Sequence, residues 1–105
     1  MSSRLERIES MLQDSPNDQF LRYSLAMELR KEGESDRCTE TFRSLTLDEP
    51  PHVPAFLMFA QYLSENDQPE KACEVLLTGI DQAKKQNEAH AAAEMNDLLV
   101  ALSED

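Results

Sequence analysis

The stretch from Asn17 to Pro50, NDQFLRYSLAMELRKEGESDRCTETFRSLTLDEP, is followed without a gap by PHVPAFLMFAQYLSENDQPEKACEVLLTGIDQAK, residues 51–84. Laid over each other, the two agree where packing demands it. Ala26 falls on Ala60, Leu29 on Leu63, Cys38 on Ala72 and Phe42 on Leu76, and ahead of them Pro16 falls on Pro50. A period of this length marks stacked units, each a pair of helices that cannot bury its apolar face alone.

Working outward, the spacing predicts six helices. Leu5, Ile8, Met11 and Leu12 form one amphipathic stripe between Ser3 and Asp14. Pro16 ends that helix, and Asn17 or Asp18 can cap the next. The second helix runs to about Glu32, with Leu21, Leu25, Ala26 and Leu29 inward and Gly33 supplying the left-handed residue that stops it. Ser35 or Asp36 is expected to cap the third, whose apolar side is Cys38, Phe42, Leu45 and Leu47. Pro50 and Pro51 stop it.

The fourth helix, about Val53 to Glu65, places Phe56, Phe59, Ala60 and Leu63 inward. Pro69 suits the first turn of the fifth, which presents Ala72, Val75, Leu76, Ile80 and Ala83. The sixth, from about Ala89 to Ser103, shows Ala92, Met95, Leu98, Leu99 and Leu102. A strict 34-residue offset would turn Glu94 and Asp97 inward, so the register is expected to carry a two-residue insertion. With it, Asn96 lands on a normally small position, as suits a solvating cap.

Composition agrees with an all-α chain. There are two glycines and five prolines in 105 residues, against many Leu, Glu, Ala, Met and Gln. Twenty-one acidic and ten basic residues leave a net charge of -11, which repels phosphate backbones and anionic lipid, so nucleic acid and membrane surfaces are not expected partners. The longest apolar run, Ala55 to Ala60, falls far short of the roughly 20 residues of a membrane-spanning helix. The charged start MSSRLERIES lacks a secretory pattern, and a cytoplasmic location is expected.

These residues resemble the tetratricopeptide repeat. Leu25, Ala26, Leu29, Gly33, Cys38, Phe42 and Pro50 match its consensus in one repeat, and Phe56, Phe59, Ala60, Leu63, Ala72 and Leu76 in the next. Departures are Arg22 at an aromatic position, Asp67 at the turn glycine, and Gly79 and Lys84 at the late Ala and Pro. The resemblance covers nearly the whole chain. It implies an all-α, right-handed α-superhelix of about six antiparallel helices: a half repeat at 3–16, repeats at 17–50 and 51–85, and a capping helix at 88–103, in a single domain.

The resemblance also implies a concave groove lined by the first helix of each pair. Phe20, Tyr23, Met27, Arg30 and Lys31 stand at its positions on one helix, and Leu57, Met58, Gln61 and Ser64 on the next. Tyr23, Met27 and Leu57 are left over by the core pattern and suit apolar anchoring of a peptide or helix from another protein. Tyr23, Met27 and Met58 occupy places where some members carry a basic clamp for a C-terminal carboxylate, so that clamp is not expected.

Catalysis is not expected either. His52 and His90 each stand without a Cys or Asp at triad or ligand spacing, and no metal, phosphate or calcium motif is present, so no cofactor follows. Cys38 and Cys73 read as reduced thiols, Cys38 in a packing role, while the role of Cys73 stays open. Two functions are compatible with the residues: an adaptor binding a segment of another protein, or a self-associating array, a homodimer for instance, whose groove is filled by its own C-terminal helix.

Overall fold

The computed structural model describes residues 3–104 and contains six helices: α1 (Ser3–Asp14), α2 (Gln19–Glu32), α3 (Ser35–Thr46), α4 (Val53–Glu65), α5 (Pro69–Lys85) and α6 (Ala89–Ser103). No strand occurs among the described residues. The chain divides into two compact units, Met1–Asp48 and Glu49–Asp105. In the first, α2 packs between α1 and α3; in the second, α5 packs against both α4 and α6, and α6 also touches α4.

One turn recurs three times. Gly33, Asp67 and Asn87 take positive φ values of 75°, 60° and 61°. The amide after each reaches back over the helix end: Glu34 to the Leu29 carbonyl at 3.0 Å, Gln68 to that of Leu63 at 2.9 Å, and Glu88 to that of Ala83 at 2.8 Å. This closes the orphan carbonyls that every helix end exposes. Asp67 therefore keeps the left-handed conformation of the glycine it replaces, which aspartate and asparagine tolerate better than other side chains. The same amide-bearing residues start the next helices, since their own carbonyls accept from Cys38, Ala72 and Ala92.

In the first unit Asp18 caps α2 by accepting from the Leu21 amide at 2.9 Å. Cys38 lies fully buried with its thiol 3.5 Å from the Ala26 carbonyl oxygen of α2. Phe42, Leu45 and Leu29 complete this buried layer with Leu5 and Ile8 of α1. Three expectations are corrected here. Glu34, not Ser35 or Asp36, occupies the cap position of α3, because the recurring turn places its carbonyl at the helix start and Ser35 becomes the first helical residue. Leu47 is 74% exposed, since the helix ends one residue earlier. Met11, on the expected α1 stripe, is 45% exposed.

Polar contacts brace the first unit. Arg22, which stands at an aromatic position of the consensus, donates to Ser44 at 2.8 Å and to Asp48 through both terminal nitrogens, while Gln19 donates to Asp48 at 3.0 Å. Its guanidinium thus ties α2 to the turn after α3, as an aromatic ring would by packing. Glu28 is only 4% exposed, and its carboxylate meets the Arg4 Nε of α1 at 3.2 Å and Lys31 at 3.7 Å. Arg37 of α3 reaches Glu9 of α1 at 2.8 Å. That hydrogen bond is the main reason the Arg37 guanidinium holds its proton more tightly than usual; the charges of Glu9 and Glu34 add to it, and partial burial opposes it.

In the second unit every expected inward residue of α4 is buried: Phe56, Phe59, Ala60 and Leu63. Val53, Ala55 and Tyr62 join them. On α5, Ala72, Leu76 and Ala83 are buried, with Val75 and Ile80 half-buried. Gly79 explains itself by geometry. A Cβ there would come within 2.6 Å of both the Met95 sulfur on α6 and the Phe56 Cβ on α4, so the three helices meet at this residue. The register slip is also present in burial, since Ala92 and Met95 are buried and Glu94 and Asp97 exposed.

Three substitutions probe this packing. Gly79→Ala should lower unfolding stability by about 1–3 kcal/mol in urea titration, because overpacking outweighs the helix-propensity gain of about 1 kcal/mol. Asp48→Asn should cost about 1–3 kcal/mol by stripping a mostly buried guanidinium of its charged acceptor. Lys85→Ala, which breaks a pair with Asp81 at 3.1 Å between side chains more than 60% exposed, should change stability by less than about 0.5 kcal/mol.

Candidate functional site

The residues expected to bind a partner fall on two stripes, one on each unit's first long helix after the prolines. On α2, Phe20, Met27 and Lys31 follow one another at helical spacing, with Tyr23 and Arg30 between that line and the buried Ala26 and Leu29. Phe20 is 70% exposed. Tyr23, Met27 and Arg30 are half-buried, and Lys31 is exposed and paired with Glu28. On α4, Leu57, Gln61 and Ser64 form the equivalent line with Met58 beside Leu57, and all four are half-buried.

The Tyr23 phenol is held above the ordinary tyrosine value of 10.0, chiefly because burial disfavours the anion; the positive charge of Arg30 pulls the other way. A raised folded-state value means that the neutral phenol stabilises the fold below pH 10 and that this contribution disappears as pH climbs through the folded-state value.

The described residues of the first unit enclose the following hollows. One of about 390 Å³ is lined by Leu12, Pro16 and Leu25 with Arg22, Arg37 and Glu40. Its arginines are engaged by Asp48 and Glu9. Another, of about 230 Å³, lies between α1 and α2 and takes in Phe20, together with Arg4, Arg7, Ile8, Met11, Leu21 and Ser24. Helical spacing alone sets Phe20 on the outward stripe of α2 and carries no sign of its place beside α1. The signal available was Met11, whose place on the α1 stripe left it without an assigned neighbour.

Chemistry-bearing side chains are scattered. His52 is the cap residue of α4 and makes no side-chain cap hydrogen bond there. His90 lies 3.7 Å from Glu94 on the surface of α6. Cys38 and Cys73 are not joined in a disulfide, the first being buried and the second half-buried. Among the described residues no group of three or more His, Cys, Asp and Glu is placed to hold a metal ion, and no helix is long and apolar enough to cross a membrane.

This arrangement is similar to solved structures of two other proteins. A tetratricopeptide repeat domain protein from Salinibacter ruber superposes with a TM-score of 0.78 at 24% identity, covering 83% of this chain and 88% of its own. A protein from Bordetella parapertussis superposes with the same TM-score at 20% identity, covering 98% of this chain and 90% of its own. No family model and no curated protein matches the sequence. The fold is therefore an all-α, tetratricopeptide-like helical repeat.

Absorbance titration of the tyrosinate band, taken as the difference between wild type and Tyr23→Phe, should give a midpoint above 10.0 for Tyr23. Arg30→Gln should move it higher still, because the cation that favours the phenolate is gone. A Tyr23 midpoint below 10, or a downward move in Arg30→Gln, would contradict the burial described above.

Proposed function

We propose that this protein is a non-catalytic adaptor that binds a peptide or helical segment of another protein through the outward stripes of its first helices. Tyr23 and Met27 on α2 and Leu57 on α4 are the apolar anchors. Phe20, Met58, Gln61 and Ser64 extend the contact, and Arg30 and Lys31 steer the approach of the partner by charge.

The observation that carries this reading is the division of labour on α2. Ala26 and Leu29 are fully buried and hold the helix pair together, while Phe20 is 70% exposed and Tyr23 and Met27, half-buried, lie on the same stripe. Such surface on a small acidic protein is a candidate for partner anchoring. The tetratricopeptide-like fold supports the same reading, since repeats of this type present the first helix of each pair to ligands.

Affinity capture from the native cell extract tests it. Tyr23→Ala and Leu57→Ala, each confirmed as folded by circular dichroism, should each weaken capture of the wild-type partner by at least about fivefold, the effect of losing roughly 1 kcal/mol at an anchor. If both variants retain every partner of the wild type, these anchors are wrong.

A further inference from the structure

The hollow between α1 and α2 occupies the place that a helix fills elsewhere in the repeat pattern. In α3, the face bearing Cys38, Phe42 and Leu45 is fully buried, and the Cys38 thiol reaches the Ala26 carbonyl of the preceding helix. In α5, the equivalent Ala72, Leu76 and Gly79 are buried likewise. Thirty-four residues before Cys38, Phe42 and Leu45 stand Arg4, Ile8 and Met11 of α1. Here Ile8 is buried under α2, but Met11 is 45% exposed and the Arg4 side chain 70% exposed. Opposite them Phe20 is 70% exposed. With a volume of about 230 Å³, the hollow admits apolar side chains of a helix lying across it and not the helix barrel itself, which is about 10 Å wide.

The charge around the hollow runs against that of the chain. The protein carries 21 acids and 10 bases, yet the lining of this hollow holds two arginines and no carboxylate. The Arg4 Nε meets Glu28 at 3.2 Å, while the Arg4 side chain is 70% exposed. Arg7 has no ion pair among the described residues. The Arg7 guanidinium presents the fork that carboxylates bind in bidentate fashion. A second copy of the chain is disfavoured by a net charge of -11 on each molecule.

We propose that the α1/α2 hollow is a second docking surface, which seats an amphipathic helix of another protein with its apolar face on Ile8, Met11, Phe20 and Leu21 and its carboxylates on Arg7. It goes beyond the adaptor reading, because it uses α1, and only Phe20 belongs to both surfaces.

The test is titration of the full, isotope-labelled chain with two synthetic helical peptides of about 18 residues, long enough to hold a helix. They share one leucine stripe at i, i+3, i+4 and i+7 spacing, flanked by Glu in one and by Lys in the other. The Glu peptide should shift the Ile8 and Met11 methyl and Phe20 ring resonances saturably. It should also bind at least tenfold tighter than the Lys peptide, although the chain's overall charge favours the latter. Arg7→Glu should reverse that order, Met11→Gln should weaken both peptides, and Lys85→Ala should change neither. No shift at Ile8, Met11 or Phe20, a preference for the Lys peptide in wild type, or indifference to Arg7→Glu would overturn the proposal. So would shifts at these residues that grow with protein concentration alone, since a second copy would then be the occupant.

Discussion

The closeness of paired helices is the constraint on which this architecture depends. Ala26 and Cys38 bring α2 and α3 near enough for a thiol to reach a backbone carbonyl, and Ala60 and Ala72, one repeat later, are equally inaccessible to water. Small side chains at these points leave the larger ones, Phe42 and Leu76, to fill the space beside the contact, so bulk and smallness are set by position. At Gly79 the requirement becomes extreme, because Phe56 and Met95 leave no room even for a methyl group. The turns make this geometry repeatable, with Gly33, Asp67 and Asn87 ending three helices by the same left-handed residue and the same back-reaching amide.

Each unit meets that constraint differently. The second is apolar through its centre, with Phe56, Phe59, Leu63 and Met95 buried. The first relies more on charge: Arg22 joins α2 to Ser44 and Asp48, Arg4 reaches the buried Glu28, and Arg37 reaches Glu9. A guanidinium serves where the consensus has a ring because its planar fork satisfies two acceptors at once. The apolar surface that this scheme does not consume, around Met11, Phe20, Tyr23 and Met27, is where the functional proposals lie.

Much of the fold is legible in the sequence because punctuation and periodicity coincide. Pro16, Gly33, the Pro50–Pro51 pair and Pro69 bound helices whose apolar steps are unambiguous, and α1 and α4 have the expected limits. The register slip before α6 is legible for the same reason, since Glu94 and Asp97 resist burial. What is not legible depends on partners distant in sequence. Arg22 reads as a departure until Asp48 is beside it, and Glu28 reads as a surface acid until Arg4 covers it. Gly79 carried a usable signal, because a glycine inside a helix costs about 1 kcal/mol and asks for a packing reason. Of the candidate site, periodicity sets Tyr23, Met27, Leu57 and Met58 on outward stripes, but the proximity of Phe20 to Met11 and Arg7 requires the packing of α1 on α2.

The account stands on the small-residue contact between paired helices, and Ala72→Leu probes it most directly. Ala72 is fully buried on α5, and leucine is as good a helix former, so only the approach of neighbouring helices is disturbed. Urea unfolding of Ala72→Leu beside Ala101→Leu, an exposed control on α6, isolates that effect. Ala72→Leu should lose about 1–3 kcal/mol while the control stays within about 0.5 kcal/mol of wild type. Equal stability of the two variants would contradict the account.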